Sequence, residues 1–283
     1  MTIAHVNGID IYFEEHGDPL AEPLLLIMGF LTNAAAWAPQ IPAFAGRFHV
    51  IAFDNRGSGR SSQPEGPYSI PQMAADAAAL LDHLGIASAH VVGVSMGGMI
   101  AQELTLQDPK RVRSLVLGCT SPGGPHSFAY DRLQQLRDES RPTDMALVWT
   151  ADSIKEYMLQ LFTPAFLANP GPAFQSYVAG IIQHPTSLSG MLAQGEAVFA
   201  HDTYDRLPQI HAPTLVMTGA GDTFVDARNS TLIAERIAGA ELVVVPGLRH
   251  GFTAEDPEAF NAPVLDFLSR HAAVAPQRRY DGA

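Results

Sequence analysis

Ser95 is the residue of this chain whose surroundings best suit a nucleophile. It lies between Gly93 and Gly97 in the motif Gly-Val-Ser-Met-Gly. The apolar run 89–92 before it predicts a buried strand, and residues 98–104 after it predict a helix. Glycine on both sides lets the backbone turn sharply without a clash at Cβ. Such a strand-to-helix turn lifts the serine hydroxyl clear of the sheet, where it can attack an acyl carbon.

A serine hydroxyl needs a neighbouring base, usually a histidine that a carboxylate orients. Asp222 lies in a glycine-rich turn that follows the predicted strand 213–219. His250 lies in the next such turn, after the predicted strand 241–245. The carboxyl ends of parallel strands share one edge of a sheet, and the order serine, acid, histidine suits this type of turn. We therefore predict Ser95 as nucleophile, His250 as base and Asp222 as the acid that orients it.

Other candidate side chains fit this arrangement less well. Asp226 competes with Asp222, but its place before the predicted helix 227–238 indicates an N-cap. Six further histidines lie near the serine strand, at the opposite sheet edge or in the predicted insertion: His83, His90, His126, His184, His201 and His211. The single cysteine, Cys119, ends a predicted strand and is interpreted as a small buried hydrophobic residue.

A tetrahedral intermediate also needs N–H donors for its oxyanion. The backbone N–H of Met96 begins the helix after the serine, where the helix dipole favours an anion. A second donor is expected in the loop 29–31, which follows the predicted strand 23–28. We predict the backbone N–H of Phe30, with Gly29 permitting the turn.

The elements that must position these residues follow an α/β pattern. The pair Asn7-Gly8 between two short strands is a strong hairpin signal. The predicted strands are 2–6, 9–14, 23–28, 49–53, 89–92, 112–118, 213–219 and 241–245, and the predicted helices are 70–84, 98–104, 227–238 and 257–270. An opening antiparallel hairpin followed by alternating buried strands and helices predicts a mostly parallel sheet with helices on both faces.

The alternation stops after Ser121, and we predict a helical cap over residues 122–206. The core is then formed by 1–121 and 207–283. Helical stretches are predicted at 131–137, 153–162 and 173–182. Large apolar side chains of this segment should form the core of the cap and line an apolar pocket: Trp149, Tyr157, Met158, Phe162, Phe166, Phe174, Tyr177, Met191 and Phe199. Ligands of open α/β sheets bind at the strand ends that such a cap would cover.

Charge and cysteine content exclude several classes of function. The formal net charge of −12 over 283 residues argues against binding to nucleic acids or anionic membranes, which need basic surface. One cysteine allows no internal disulfide, and no histidine pair or cysteine cluster has metal-ligand spacing, so no metal is expected. No run is long enough to span a bilayer and the N-terminus does not resemble a signal peptide, so we expect a soluble cytoplasmic protein.

Over nearly its whole length the chain resembles the α/β-hydrolase family. Five segments carry the resemblance: Met28-Gly29-Phe30, the loop 54–61, the turn around Ser95, Gly221-Asp222 and His250. The resemblance implies an eight-stranded, mostly parallel sheet flanked by helices, with a helical cap inserted between strands six and seven. It also implies a catalytic triad of Ser95, Asp222 and His250 and an oxyanion hole of Phe30 and Met96.

One departure from the family pattern lies beside the predicted oxyanion hole. Many members have His-Gly where this chain has Met28-Gly29. That histidine braces the oxyanion loop through hydrogen bonds and is not a reactant. The loop 54–61 is structural in the family, and Asp54 and Arg56 are expected to hold it in place.

These features favour a carboxylesterase-like serine hydrolase. It would cleave a carboxylic ester or lactone of a small to medium apolar molecule through an acyl-enzyme, without a cofactor. A serine in the turn argues against haloalkane dehalogenases and soluble epoxide hydrolases, which the resemblance associates with aspartate there. Carbon–carbon bond hydrolysis and cofactor-free perhydrolysis or haloperoxidase chemistry use the same triad and stay open, and a non-catalytic ligand receptor is a less favoured alternative. The expected partner is a small-molecule ester, and monomer and homodimer are both open.

Overall fold

One eight-stranded sheet organises the described residues, which are 2–131 and 158–272 of a computed structural model. The strands are β1 (Thr2–Val6), β2 (Ile9–His16), β3 (Glu22–Ile27), β4 (Phe48–Phe53), β5 (Ala89–Val94), β6 (Val112–Gly118), β7 (Thr214–Gly219) and β8 (Glu241–Val245). Their spatial order is β1-β2-β4-β3-β5-β6-β7-β8. β2 pairs antiparallel with β1 and β4, and the strands from β4 to β8 run parallel. The predicted α/β fold is confirmed.

The described helices lie on both faces of the sheet and in the segment between β6 and β7. They are α1 (Ile41–Ala45), α2 (Ile70–His83), α3 (Met96–Gln107), α4 (Pro164–Ala168), α5 (Pro172–Gln183), α6 (Leu188–Phe199), α7 (Arg228–Arg236), α8 (Phe252–Glu255) and α9 (Pro257–Arg270). Short 3-10 turns lie at Ala34–Trp37, Pro109–Arg111 and Tyr204–Gln209. None of the helices that the structure describes is long and apolar enough to cross a membrane.

The turn between β1 and β2 follows the hairpin prediction. Asn7 and Gly8 have positive φ angles of 49° and 75°. A two-residue turn of this type needs positive φ at both central positions, which asparagine and glycine adopt with little strain. The local pair therefore sets the register of the opening hairpin, in which Val6 lies opposite Ile9.

Two hydrophobic cores lie on opposite faces of the sheet, and alternate residues of one strand enter each of them. Leu25 and Ile27 of β3 pack in the core that α2 and α3 cover. Leu24 and Leu26 pack in the other core, with Phe260 of α9. All four β3 side chains are fully buried. A continuous apolar run is therefore what a strand between two helical layers requires.

β8 differs from the buried strand that its sequence predicts. It is the last strand of the sheet, and Leu242 and Val244 are 38% and 44% exposed. Val243 and Val245 point the other way and pack against the core that contains Phe260. One face of an edge strand can stay uncovered, so an apolar sequence alone does not establish burial on both faces.

The helices α4, α5 and α6 lie between β6 and β7 in the chain, as predicted for a helical cap. The predicted stretch 173–182 corresponds to α5. Residues 132–137 of the first predicted stretch and 153–157 of the second lie outside the described residues. The domain boundaries at 121/122 and 206/207 stay a prediction.

Buried polar contacts join α6 to the loop 54–61. Gln194 is fully buried, and its Nε2 donates to the carbonyl of Arg56 at 2.7 Å and to Ser58 Oγ at 2.8 Å. A Cβ on Gly190 would lie 2.3 Å from the carbonyl oxygen of Gly57, so α6 approaches the loop at backbone distance. The loop 54–61 therefore holds α6 in place against the core.

Ion pairs hold the loop 54–61, as the resemblance implies. Asp54 accepts hydrogen bonds from the N–H of Ala34 at 2.7 Å and from Arg60 Nε at 3.0 Å. Arg56 binds both carboxylate oxygens of Asp76 on α2, at 2.7 and 2.8 Å. The side chains of Arg56 and Asp76 are 6% and 2% exposed, so this pair is shielded from water.

We expect Asp76→Ala to lower the free energy of unfolding by about 3–5 kcal/mol, because it leaves the Arg56 guanidinium buried without its counter-ion. Urea denaturation measures the loss. Glu241→Ala is the matched control, because it removes a two-bond pair with Arg270 that is nearly half exposed. That loss should be below about 1 kcal/mol. Equal losses for the two variants would contradict the prediction.

Candidate active site

The backbone at Ser95 is held in a strained turn between β5 and α3. Its φ of 55° and ψ of −123° are unusual for a residue with a side chain. A Cβ on Gly93 would lie 2.3 Å from the carbonyl oxygen of Gly97, and one on Gly97 would lie 2.1 Å from that of Ile27. Only glycine fits at these two positions. The N–H of Ser95 donates to the carbonyl of Gly118 at 2.8 Å, which ties the turn to β6.

His250 joins Ser95 to Asp222. Its Nε2 lies 3.1 Å from Ser95 Oγ, and its Nδ1 lies 2.7 Å from Asp222 Oδ2. A carboxylate only accepts hydrogen bonds, so Nδ1 carries a proton, and in the neutral ring Nε2 can then accept the serine proton. The structure therefore brings the three predicted residues together in the order that nucleophile activation needs.

Asp222 is held rigidly in this arrangement. It is 3% exposed, and its second oxygen, Oδ1, accepts the N–H groups of Phe224 at 3.0 Å and Val225 at 2.9 Å. Both carboxylate oxygens are thus occupied, and Oδ2 faces His250. Such a carboxylate can hold the imidazole in one orientation.

Asp226 does not take part in this network. Its carboxylate binds the backbone N–H and the guanidinium of Arg228. These hydrogen bonds hold the pKa of Asp226 below its usual value. The N-cap residue of α7 is Ala227, so the prediction of Asp226 as the N-cap is wrong by one position, although its side chain does accept the N–H of Arg228, the first residue of the helix.

Cys119 has a position that its sequence does not reveal. It is buried at the end of β6, as predicted, with a positive φ of 40°. Its Sγ also lies within 4.8 Å of the nearest ligand atoms of Asp222 and His250. Burial lowers the pKa of His250, but Cys119 and then Asp222 raise it by more, so the pKa lies well above 6.5.

Among the described residues, one group has donor atoms close enough together to bind a metal ion. It consists of Cys119, Asp222 and His250. Both ring nitrogens of His250 are already hydrogen-bonded, to Asp222 and to Ser95. A metal here would have to displace one of these partners. The arrangement therefore suits proton transfer better than metal binding.

The predicted oxyanion loop packs directly against Ser95. A Cβ on Gly29 would lie 3.0 Å from the Cβ of Ser95, so glycine lets the loop approach the nucleophile. Within the described residues, no group accepts a hydrogen bond from the backbone N–H of Phe30 or Met96. Both donors are thus available to an oxyanion, and their role there stays a prediction.

Two residues that were not predicted brace this loop. Thr32 Oγ1 donates to the carbonyl of Gly29 at 2.8 Å, and Asn55 Nδ2 donates to the carbonyl of Met28 at 2.8 Å. Leu31, between Phe30 and Thr32, adopts a positive φ of 61°. These bonds hold the loop although methionine stands where many family members have histidine.

Two cavities meet at Ser95. The larger is about 210 Å³, and apolar groups dominate its wall, including Met99 of α3 and Val198 of α6. The smaller is about 70 Å³, and His250 and Leu161 are in its wall. Of the nine large apolar side chains predicted for the cap core and pocket, Phe199 lines the larger cavity and Phe162 and Tyr177 line the smaller, whereas Trp149 and Tyr157 lie outside the described residues.

His201 lies in the wall of the larger cavity but does not suit acid–base chemistry. Burial lowers its pKa to about 3, so the ring is neutral at ordinary pH. Its Nε2 lies 3.5 Å from Thr203 Oγ1 rather than against Ser95 or His250. The His201 ring therefore contributes a polar but uncharged group to the wall of the larger cavity.

Comparison with known proteins agrees with this fold. The family profile described as alpha/beta hydrolase fold matches residues 22–257. A protein of Azorhizobium caulinodans named carbamate hydrolase RutD is 35% identical over 94% of this chain and 98% of its own length. The 3-oxoadipate enol-lactonase 2 of Acinetobacter baylyi is 31% identical over 88% of this chain and 89% of its own. A solved hydrolase from Pseudomonas aeruginosa superposes with a TM-score of 0.80 at 32% identity, over 94% and 97% of the two chains.

We expect Cys119→Ala to lower the pKa of the His250 imidazole, because it removes one of the two groups that raise it. An NMR titration of the histidine ring signals measures the midpoint. Met99→Leu is the control, because it changes the wall of the larger cavity without changing a charge. A midpoint that stays the same in Cys119→Ala would contradict the assignment of Cys119 as a cause of the shift.

Proposed function

This chain belongs to the α/β-hydrolase family, and from that membership we propose that it is a serine hydrolase of carboxylic esters or lactones. The observation that carries the proposal is the hydrogen-bonded series Ser95, His250, Asp222 at the end of parallel strands. Its substrates are small to medium apolar molecules, because the larger cavity beside Ser95 has a predominantly apolar wall.

The first half of the reaction acylates Ser95. Nε2 of His250 takes the hydroxyl proton while Oγ attacks the acyl carbon. The negative charge that develops on the carbonyl oxygen is stabilised by the N–H groups of Phe30 and Met96. His250 then gives its proton to the leaving oxygen, the carbon–oxygen bond breaks, and the acyl group remains on Ser95.

The second half reverses these roles with water. His250 takes a proton from the water as its oxygen attacks the acyl carbon, and then returns that proton to Ser95 Oγ. Asp222 keeps the ring oriented through both halves, because its two oxygens are held by His250 and by two backbone N–H groups. The products are a carboxylic acid and an alcohol, or a hydroxy acid from a lactone.

The names of two relatives support acyl-carbon chemistry. One is named for a carbamate and the other for an enol-lactone, and hydrolysis of either type breaks a bond to an acyl carbon. The second name favours lactones as candidate substrates here. Carbon–carbon bond hydrolysis and perhydrolysis remain outcomes of a substrate test, with a vinylogous diketone and with acetate plus peroxide as probes.

We expect Ser95→Ala to reduce hydrolysis of a 4-nitrophenyl ester by at least about 10³-fold, because no other nucleophile replaces Oγ. Release of nitrophenolate measures the rate, and mass spectrometry detects the acyl group on Ser95 of the wild-type chain. Ser58→Ala is the control, because Ser58 binds Gln194 away from the nucleophile. Comparable activity in Ser95→Ala and the wild type would overturn the proposal.

The pH dependence should follow His250. Only the neutral ring accepts a proton, and its pKa lies above 6.5. Activity is therefore present at alkaline pH and is lost as the pH falls through this raised pKa. We expect the acidic limb of kcat/KM, which reports the free enzyme, to have a midpoint above 6.5 and to match the midpoint from the NMR titration. An acidic limb centred near 4 would instead point to a carboxylate as the base.

A further inference from the structure

The two cavities at Ser95 are unequal in size and in the groups they offer. Phe30 and Phe224 line both of them, so they meet at the nucleophile and share its walls. Phe224 also packs edge-on against the ring of His250, with centroids 4.9 Å apart. A substrate whose reacting carbon lies at Ser95 must therefore place one part in each cavity.

His250 distinguishes the two cavities chemically. His250 is one of the described residues that line the smaller cavity. It is not one of the described residues that line the larger cavity. The leaving oxygen must receive its proton from Nε2, so it has to lie on the His250 side of the tetrahedral carbon. The leaving group therefore extends into the smaller cavity, and the acyl chain is directed toward the larger one.

The volumes then limit each part of the substrate. An apolar cavity of about 150 Å³ can hold a benzene ring, and a water molecule in the liquid takes about 30 Å³. The larger cavity, at about 210 Å³, has room for a ring with a short chain. The smaller, at about 70 Å³, has the space of about two water molecules, which fits roughly two or three non-hydrogen atoms.

We propose that the preferred substrates are esters of bulky apolar acids with small alcohols such as methanol or ethanol. The inference rests on the proposed function, because it requires an ester and an acyl-enzyme. The larger cavity has apolar walls from three elements, and the acid in its lining, Asp226, is paired with Arg228. An aromatic or medium-chain acyl group therefore meets no unpaired charge among the described side chains that enclose it.

Two isomeric esters test this assignment. Methyl phenylacetate has a bulky acyl group and a small alcohol, and benzyl acetate has the reverse, with the same atoms overall. Rates of acid release, each divided by the rate with hydroxide, correct for intrinsic reactivity. We expect the wild-type kcat/KM to favour methyl phenylacetate by at least about tenfold, which is within the range that apolar pockets reach for small changes in size.

Variants of the two walls sharpen the test. Val198→Phe adds a ring to the wall of the larger cavity and should lower kcat/KM for methyl phenylacetate by about tenfold, with a smaller effect on benzyl acetate. Leu161→Ala widens the smaller cavity and should raise kcat/KM for benzyl acetate. Leu188→Phe is the matched control, because it adds the same ring to α6 at a position 46% exposed and outside both walls.

The outcomes separate the two proposals. A ratio of one or below in the wild type, with turnover intact, overturns the cavity assignment alone. A Val198→Phe variant that loses benzyl acetate hydrolysis more than methyl phenylacetate hydrolysis overturns it as well. No turnover of either ester or of a 4-nitrophenyl ester overturns the proposed function itself. The wild-type ratio and Leu161→Ala keep the test decisive if Val198→Phe does not fold.

Discussion

The close approach of α3 to the strands beside it is the constraint on which the rest of the site depends. No side-chain carbon can be placed on Gly93 or Gly97 without entering a carbonyl oxygen at 2.1–2.3 Å. The helix can therefore begin directly at the strand end, and the residue between them is forced to a positive φ. The orientation of the Ser95 hydroxyl and of the Met96 N–H both follow from this contact. Strain of this kind persists only where surrounding structure enforces it, and here two core strands and a helix do so.

Much of this architecture could be predicted from the sequence, because its strands and turns have distinct local sequence patterns. Strands between two helical layers give continuous apolar runs, and the turns at their ends carry glycine. Ser95, Asp222 and His250 follow three such strands, so the shared sheet edge brings them together. The bounds of β1, β6, β8 and α9 are the predicted ones, and the other predicted strands and helices that the structure describes differ by one to three residues at their ends.

The contacts that could not be predicted depend on which strands are neighbours in the sheet and on which loops pack against each other. Cys119 looks like any small strand-end residue, and only the adjacency of β6 and β7 brings its sulphur to the acid and the histidine. Thr32 and Asn55 brace the oxyanion loop through single hydrogen bonds that leave no periodic signal. Gln194 is a polar residue in an otherwise apolar helix. Its hydrogen bond to the carbonyl of Arg56 can be recognised only once the loop 54–61 is known to pack against that helix.

The chain order of the site has a consequence for protein synthesis. The proposed nucleophile, Ser95, lies about a third of the way along the chain, and the proposed base, His250, follows 155 residues later, on the loop after the last strand. The acid and one wall of the larger cavity also come late in the sequence. A chain that is still on the ribosome therefore presents its serine turn long before the groups that activate it. In the proposed mechanism the hydroxyl is activated only when the loop after the final strand is in place, so reactivity of this serine would report that the whole sheet has assembled.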